Sequence, residues 1–290
     1  MDWKVAETAI DTIAAVGAAF FVAPFVSATD KAIAESSSGR STLWPSFFRS
    51  LASYVKTPVS SVGRPEFRII WALYAGTYAA NNFCCSAEAR AGASWPRSKT
   101  MMVFSCNTSL SLWKDSAFAR LFGRSTANVP LAAYLTWAVR DVTGMAFIFT
   151  APPLVAPYLS QIANSSQRTA EIAAQLLLPM AIQPVVSPFH LLGYDVYNRP
   201  ASSLAARFDV LRSQLAGVIV MRWIRGFPPY CLGAVANKTI RNELRDRADA
   251  FHHRQMFIPI YSGSILSAKD PGSGGAVVAA TPISSHGTAS

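Results

Sequence analysis

The chain is cut into long stretches that carry no charged side chain: residues 12–29, 69–87, 100–113, 125–139, 142–167 and 172–194, with two shorter pieces around Arg222 and Arg225. A lone helix needs about 20 mostly apolar residues to cross a bilayer, and its backbone groups must all be paired within the helix. Several of the stretches reach that length. The shorter ones fit helices that share a polar interior. Composition agrees, with 51% hydrophobic against 14% charged residues and a mean hydropathy of +0.25, too apolar for an ordinary soluble domain. The expectation is an all-α membrane protein.

The formal net charge of +10 does not make it a nucleic-acid binder. Its basic residues are scattered, and no Lys/Arg cluster is interleaved with aromatics on a hydrophilic face. Basic loops beside an anionic bilayer surface explain the excess better, and imply cardiolipin or another phospholipid held against them. Cys84 and Cys85 are adjacent, while Cys106 and Cys231 lie in apolar stretches; reduced buried thiols are expected, not a disulfide framework or zinc site. The neighbouring His252 and His253 point to different helix faces, so no metal is expected there. With no nucleophile–base set and no phosphate-binding loop (272–275 lacks the lysine), neither an enzyme nor a cofactor is expected. Asp2, Glu7 and Asp11 stand where a cleavable targeting peptide would be basic, so any targeting information is expected to be internal.

Taken in order, the chain predicts a first helix over 5–28 with Pro24 near its end and a polar exit at Asp30, Lys31 and Glu35. An amphipathic helix over 43–55 suits the membrane interface. A second spanning helix follows over 65–85, entered at Arg64 and Arg68 and carrying Asn81 and Asn82. A third covers 100–122 with Lys114 and Asp115 near its exit. The fourth, 130–157, holds Arg140 and Asp141 and meets Pro152 and Pro153. The fifth covers 171–192 and the sixth 207–245. Six transmembrane helices thus fall into three loosely similar hairpins, 1–95, 96–168 and 169–248. An extended tail over 249–290 is rich in Gly, Ser and Ala and lacks the apolar period to build a core.

One stretch bears a family signature. Residues 187–200 read Ser-Pro-Phe-His-Leu-Leu-Gly-Tyr-Asp-Val-Tyr-Asn-Arg-Pro, a proline late in an apolar helix followed by the first ionisable groups since Glu171. This resembles the mitochondrial carrier family, whose odd-numbered helices end in Pro-x-(Asp/Glu)-x-x-(Lys/Arg). Pro188 matches the proline, His190 the acid and Gly193 the base. In the first helix Pro24 is followed by Val26 and Thr29 at the charged positions, and the third has no proline. The resemblance implies the six-helix, three-repeat fold in the mitochondrial inner membrane, with its gate ion pairs lost.

That loss points to a non-catalytic accessory subunit of a large inner-membrane complex, the respiratory chain or ATP synthase, whose partners would be other membrane subunits and the bilayer. The alternative is an active carrier of a small anionic metabolite. By resemblance, Arg140, Asp141, Arg222 and Arg225 would line its substrate cavity; the competing reading makes Arg140 a structural ion pair and puts Arg222 and Arg225 at a membrane boundary. A charged pair between apolar runs is costly unless it meets water or a partner. His190 is either a proton sensor or a neutral hydrogen-bonding group at a helix end.

Overall fold

In a computed structural model, which describes residues 3–164 and 166–265, the described residues are mostly helical, and no strand occurs among them. The long first helix sets the arrangement. α1 (Trp3–Ser37) carries a face of small side chains, Ala14, Ala15, Ala18, Ala19, Val22, Ala23 and Val26, all fully buried. Small residues let neighbouring helices approach closely, and α4 (Pro65–Ala91) packs along this face with Phe67, Ile70, Leu73 and Tyr74. Pro24 sits inside α1 without ending it, and the expected polar exit is helical and buried: Asp30 is 1% exposed.

Between these two helices lie the amphipathic α2 (Leu43–Lys56) and the short α3 (Pro58–Val62). α2 buries Phe47 and leaves Trp44, Phe48 and Val55 outward, as an interfacial helix would. α4 ends at Gly92, whose φ of +59° is the left-handed conformation that closes many helices. α5 (Pro96–Phe122) and α6 (Leu131–Ile162) follow. α6 bends by 40° between Leu131–Ile148 and Thr150–Ile162, just ahead of Pro152 and Pro153, which lack the N–H a straight helix needs.

The expected fifth helix is two, α7 (Gln167–Ala181) and α8 (Gln183–Asn198). The break lies at Ile182, ahead of Pro184, and not at Pro188, which α8 absorbs in its interior. Carbonyls at the break are satisfied by side chains: Gln183 Nε2 donates to Pro179 O at 2.7 Å and Trp223 Nε1 to Met180 O at 2.8 Å. The expected sixth helix divides as well. α9 (Leu204–Pro228) passes through a π-helical turn (Pro229–Gly233) into α10 (Ala234–Ile265). Consecutive prolines at 228 and 229 remove two donors, and Tyr78 Oη donates to Pro229 O at 3.0 Å.

The chain divides into two compact units, Met1–Arg245 and Asp246–Ser290. In the second, helix continues to Ile265 where an extended tail was expected from 249, and 266–290 lie outside the described residues. Among the described residues, two helical segments are long and apolar enough to cross a membrane, α1 over Lys4–Ser37 and the α7–α8 run over Gln167–Asn198, or three if the bent α6 pair is one span. The expected six crossings are not met: α5 is diluted by Ser105, Asn107, Thr108, Ser109 and Ser111, and α9 is broken by Arg212, Arg222 and Arg225. Outward rows such as Leu131, Leu135, Val139 and Val142 on α6, spaced as one helix face, give the exterior its membrane-protein character.

Candidate functional site

Ionisable groups from five helices meet inside the first unit. Lys114 on α5, 1% exposed, donates from Nζ to Asp30 Oδ2 of α1 at 2.9 Å and also lies 2.6 Å from Asp115 Oδ1. Arg140 on α6 reaches Asp115 Oδ2 with Nη1 at 2.7 Å, Asp141 with Nε at 2.7 Å and Nη2 at 2.8 Å, and Ser111 Oγ with Nη2 at 3.1 Å. Arg225 on α9 pairs through Nε with the other oxygen of Asp30 at 2.7 Å. Removing such charges from water is costly, and the expense is offset only when each finds an opposite charge and further hydrogen bonds.

Arg222 does not meet that condition. Its Nε donates to Gln183 Oε1 at 2.7 Å and its Nη1 to His190 Nδ1 at 2.9 Å, and among the described residues no carboxylate lies within ion-pair distance of it. Lys114, Arg140, Arg222 and Arg225 stand against Asp30, Asp115 and Asp141, so the cluster holds one more cation than anions. His190 is drawn in from the other side too, since Arg140 Nη1 lies 2.6 Å from the same Nδ1. Guanidinium nitrogens only donate. Nδ1 must therefore be the acceptor, and the ring is neutral with its proton on Nε2.

A second buried cluster occupies the other end of α1. Asp11, fully buried, pairs with Arg241 Nε at 2.7 Å and Arg245 Nη2 at 3.4 Å, and accepts a hydrogen bond from Ser86. Glu7 pairs with Arg245 at 2.9 Å and Arg90 at 3.3 Å. Asn82 and Asn237 exchange reciprocal amide hydrogen bonds at 2.9 and 2.8 Å, and Asn82 Nδ2 also donates to Asp11 O at 3.0 Å. Asp11 and Asp30 are nineteen residues apart, about 28 Å along a helix, close to the roughly 30 Å thickness of a bilayer's hydrocarbon.

The structure thus brings Arg140, Asp141, Arg222, Arg225 and His190 together. Arg222 and Arg225 face the cluster. Gly193 plays a packing part, since a Cβ there would collide with Trp137 Nε1, so the glycine is what lets α8 close on α6; Pro188 lies inside α8. Pro24 accepts from Ser27 Oγ through its carbonyl at 3.0 Å, and Arg64, at the start of α4, donates to Ser53 Oγ at 3.0 Å. Asp30, Lys114 and Asp115 were read as helix exits, and Glu7 and Asp11 as targeting evidence alone. Counting along α1 would have found both acids of the clusters, since 11, 15, 18, 22, 26 and 30 follow one helical face. No group of three or more His, Cys, Asp or Glu suited to a metal occurs among the described residues.

The family described as probable citrulline exporter matches residues 14–245, most of the chain, and the protein belongs to that family. No curated protein and no solved structure matches it. The mitochondrial carrier resemblance is therefore corrected, since no carrier family matches. Its proline is a helix-interior residue at both Pro24 and Pro188, and the uncharged Val26, Thr29 and Gly193 take no part in the ion pairs of this fold. The accessory-subunit reading, with its respiratory-chain and ATP-synthase hosts, falls with the resemblance, and the transporter held as its alternative is favoured instead. The mitochondrial inner membrane loses the resemblance that implied it; membrane-protein character stands.

Proposed function

We propose that the protein is a membrane transporter that exports citrulline, with the Asp30–Arg140–Arg222 cluster as its substrate-binding element. The family supports an exporter and names the cargo. One observation carries the site: Arg222 is a half-buried cation at the edge of a buried charge cluster whose partners are the neutral Gln183 and His190. Citrulline is a zwitterion with a carboxylate, an ammonium and a neutral ureido side chain. Its carboxylate supplies the anion that Arg222 lacks. Asp141, 17% exposed and the most accessible acid of the cluster, receives the ammonium in exchange for part of its pairing with Arg140.

Binding of this kind has a mechanical consequence. A ligand shifts a conformational equilibrium only by its differential affinity for the two states. Trading Asp141 between Arg140 and the substrate loosens α6 from its own arginine while Arg222 gains a partner on α9. The ligand thereby favours a different packing of the α6–α8–α9 group. Purified protein in liposomes preloaded with labelled citrulline is expected to show saturable efflux, and Arg222→Gln is expected to abolish it while remaining folded. Absence of saturable efflux from wild-type vesicles would sink the proposal.

A further inference from the structure

Ser187, His190 and Tyr194 lie on α8 at spacings of three and four, within an arc of about 60° on the helix. They are 0%, 1% and 1% exposed, yet each has a polar atom with no hydrogen-bond partner: Ser187 Oγ, His190 Nε2 and Tyr194 Oη. Buried polar groups in native proteins are almost always paired, and each exception calls for a cause. Asn198 Nδ2, one turn further along the same face, is unpartnered too, but that side chain is half-buried at the helix end and its Oδ1 accepts from the Arg124 backbone N–H; the three fully buried orphans share a cause. We propose that they form the reader for the neutral urea- or amide-type end of the substrate, which rests on the citrulline transport reading above.

The chemistry of the face is set by its neighbours. Arg140 and Arg222 both donate to His190 Nδ1, so Nε2–H is a donor held in place by two cations and by the imidazole's contact with the Tyr194 ring, 5.2 Å between centroids. The Ser187 and Tyr194 hydroxyls stand about one turn before and after His190 on the same helix face and can accept or donate. A ureido group presents the complement, a carbonyl oxygen for Nε2–H and N–H groups for the hydroxyls. Guanidinium has only donors and leaves Nε2–H unmet. It also brings a positive charge to a place where cations already outnumber acids, as an alkylammonium side chain does. The face therefore selects citrulline against arginine and ornithine, the cationic amino acids most like it in shape. Arg222 touches both halves of the site, donating to His190 while serving the carboxylate.

Wild-type protein and the variants Tyr194→Phe and Ser187→Ala, each losing one hydroxyl at nearly constant volume, are compared in proteoliposomes. The KM for citrulline is expected to rise roughly three- to tenfold in each, and selectivity over arginine and ornithine to fall. L-norvaline, which has the amino-acid head and no ureido group, serves as competitor. Its inhibition constant is expected to stay unchanged, which a general loss of structure would not allow. An unchanged citrulline KM in both variants, or an equal loss for norvaline, overturns the proposal while leaving the transport reading in place. Failure of the wild type to move citrulline overturns both. Melting temperatures of the same preparations separate either result from misfolding.

Discussion

The two ion clusters strung along α1 are built from the same materials to different ends. Around Asp11 every arginine has an acid: Arg241 and Arg245 on Asp11, Arg245 and Arg90 on Glu7. The reciprocal Asn82–Asn237 amide pair locks α4 to α10 beside them. Around Asp30 the pairing is incomplete, with Arg222 lacking an acid and Ser187 Oγ, His190 Nε2 and Tyr194 Oη without partners, whereas the unpartnered atom at the Asp11 cluster, Arg245 Nε, belongs to a guanidinium already paired with Asp11 and Glu7. A closed cluster holds helices in place. An open one is a site in which something else can complete the pairing. Between the two, at Pro229–Gly233, the helix changes to a wider π-helical turn, a feature often found at functional sites.

The largest expected effect lies in the closed cluster. Asp11→Ala leaves Arg241 and one contact of Arg245 without an acid among buried neighbours, and losing one partner of a buried pair costs about 3–5 kcal/mol. The detergent-solubilised variant is expected to melt far below wild type, or to fail to accumulate. If Asp11→Ala melts like wild type, the cluster is not a structural clamp and the contrast collapses. Packing beneath the open cluster comes next. Gly193→Ala drives a methyl group into Trp137, at 2.1 Å from Nε1, and overpacking costs about 1–3 kcal/mol. Because α8 carries His190, the same variant is expected to lower citrulline affinity as well as the melting temperature.

Much of the helical layout was legible from the uncharged stretches, since apolar length is what a bilayer and a helix both require. α1, α2, α4, α5 and α6 fall close to the expected segments. Breaks were harder. Pro188 and Pro184 are alike in sequence, and only packing decides that α8 absorbs one and starts near the other, helped by Gln183 and Trp223. Arg140, Asp141, Arg222 and Arg225 stood out because isolated charges in apolar runs must meet partners. Their partners did not: Asp30 and Lys114 are 84 residues apart in the chain, and Asp30 and Arg225 are 195. A short polar motif at a helix end suggested a carrier gate, whereas Asp30, Lys114, Asp115, Arg140 and Arg222 lie more than a turn inside their helices.

The comparison is sharpest at Arg222 itself. Arg222→Gln removes a cation that has no acid, and Gln retains donors and an acceptor for Gln183 and His190. Stability is therefore expected to stay within about 1 kcal/mol of wild type, in the range of substitutions that break no buried pair. Transport is expected to be lost. Measured side by side, Asp11→Ala and Arg222→Gln should then dissociate melting temperature from efflux in opposite directions. An Arg222→Gln protein that melts as low as Asp11→Ala would make Arg222 a structural residue.

The smallest effect belongs to a pair at the surface, which sets the scale for both clusters. Glu88 at the end of α4 accepts from Lys99 Nζ of α5 at 2.6 Å and from the Trp95 backbone N–H at 2.7 Å. The Lys99 hydrogen bond, then the one from Trp95, holds the Glu88 carboxyl below the usual glutamate range, and the same bond raises the Lys99 ammonium above its own. A carboxyl whose value is depressed by folding contributes its stability above the unfolded value, and that contribution fades as pH falls through the folded one. At neutral pH, Glu88→Gln is therefore expected to melt slightly below wild type and to exchange the Trp95 amide hydrogen faster. In acid the two proteins are expected to converge, because wild-type Glu88 is then protonated and nearly as neutral as glutamine. Exposed pairs of this kind are screened by water and salt, so a difference that persists undiminished in acid would show that Glu88 acts through packing and not through its charge.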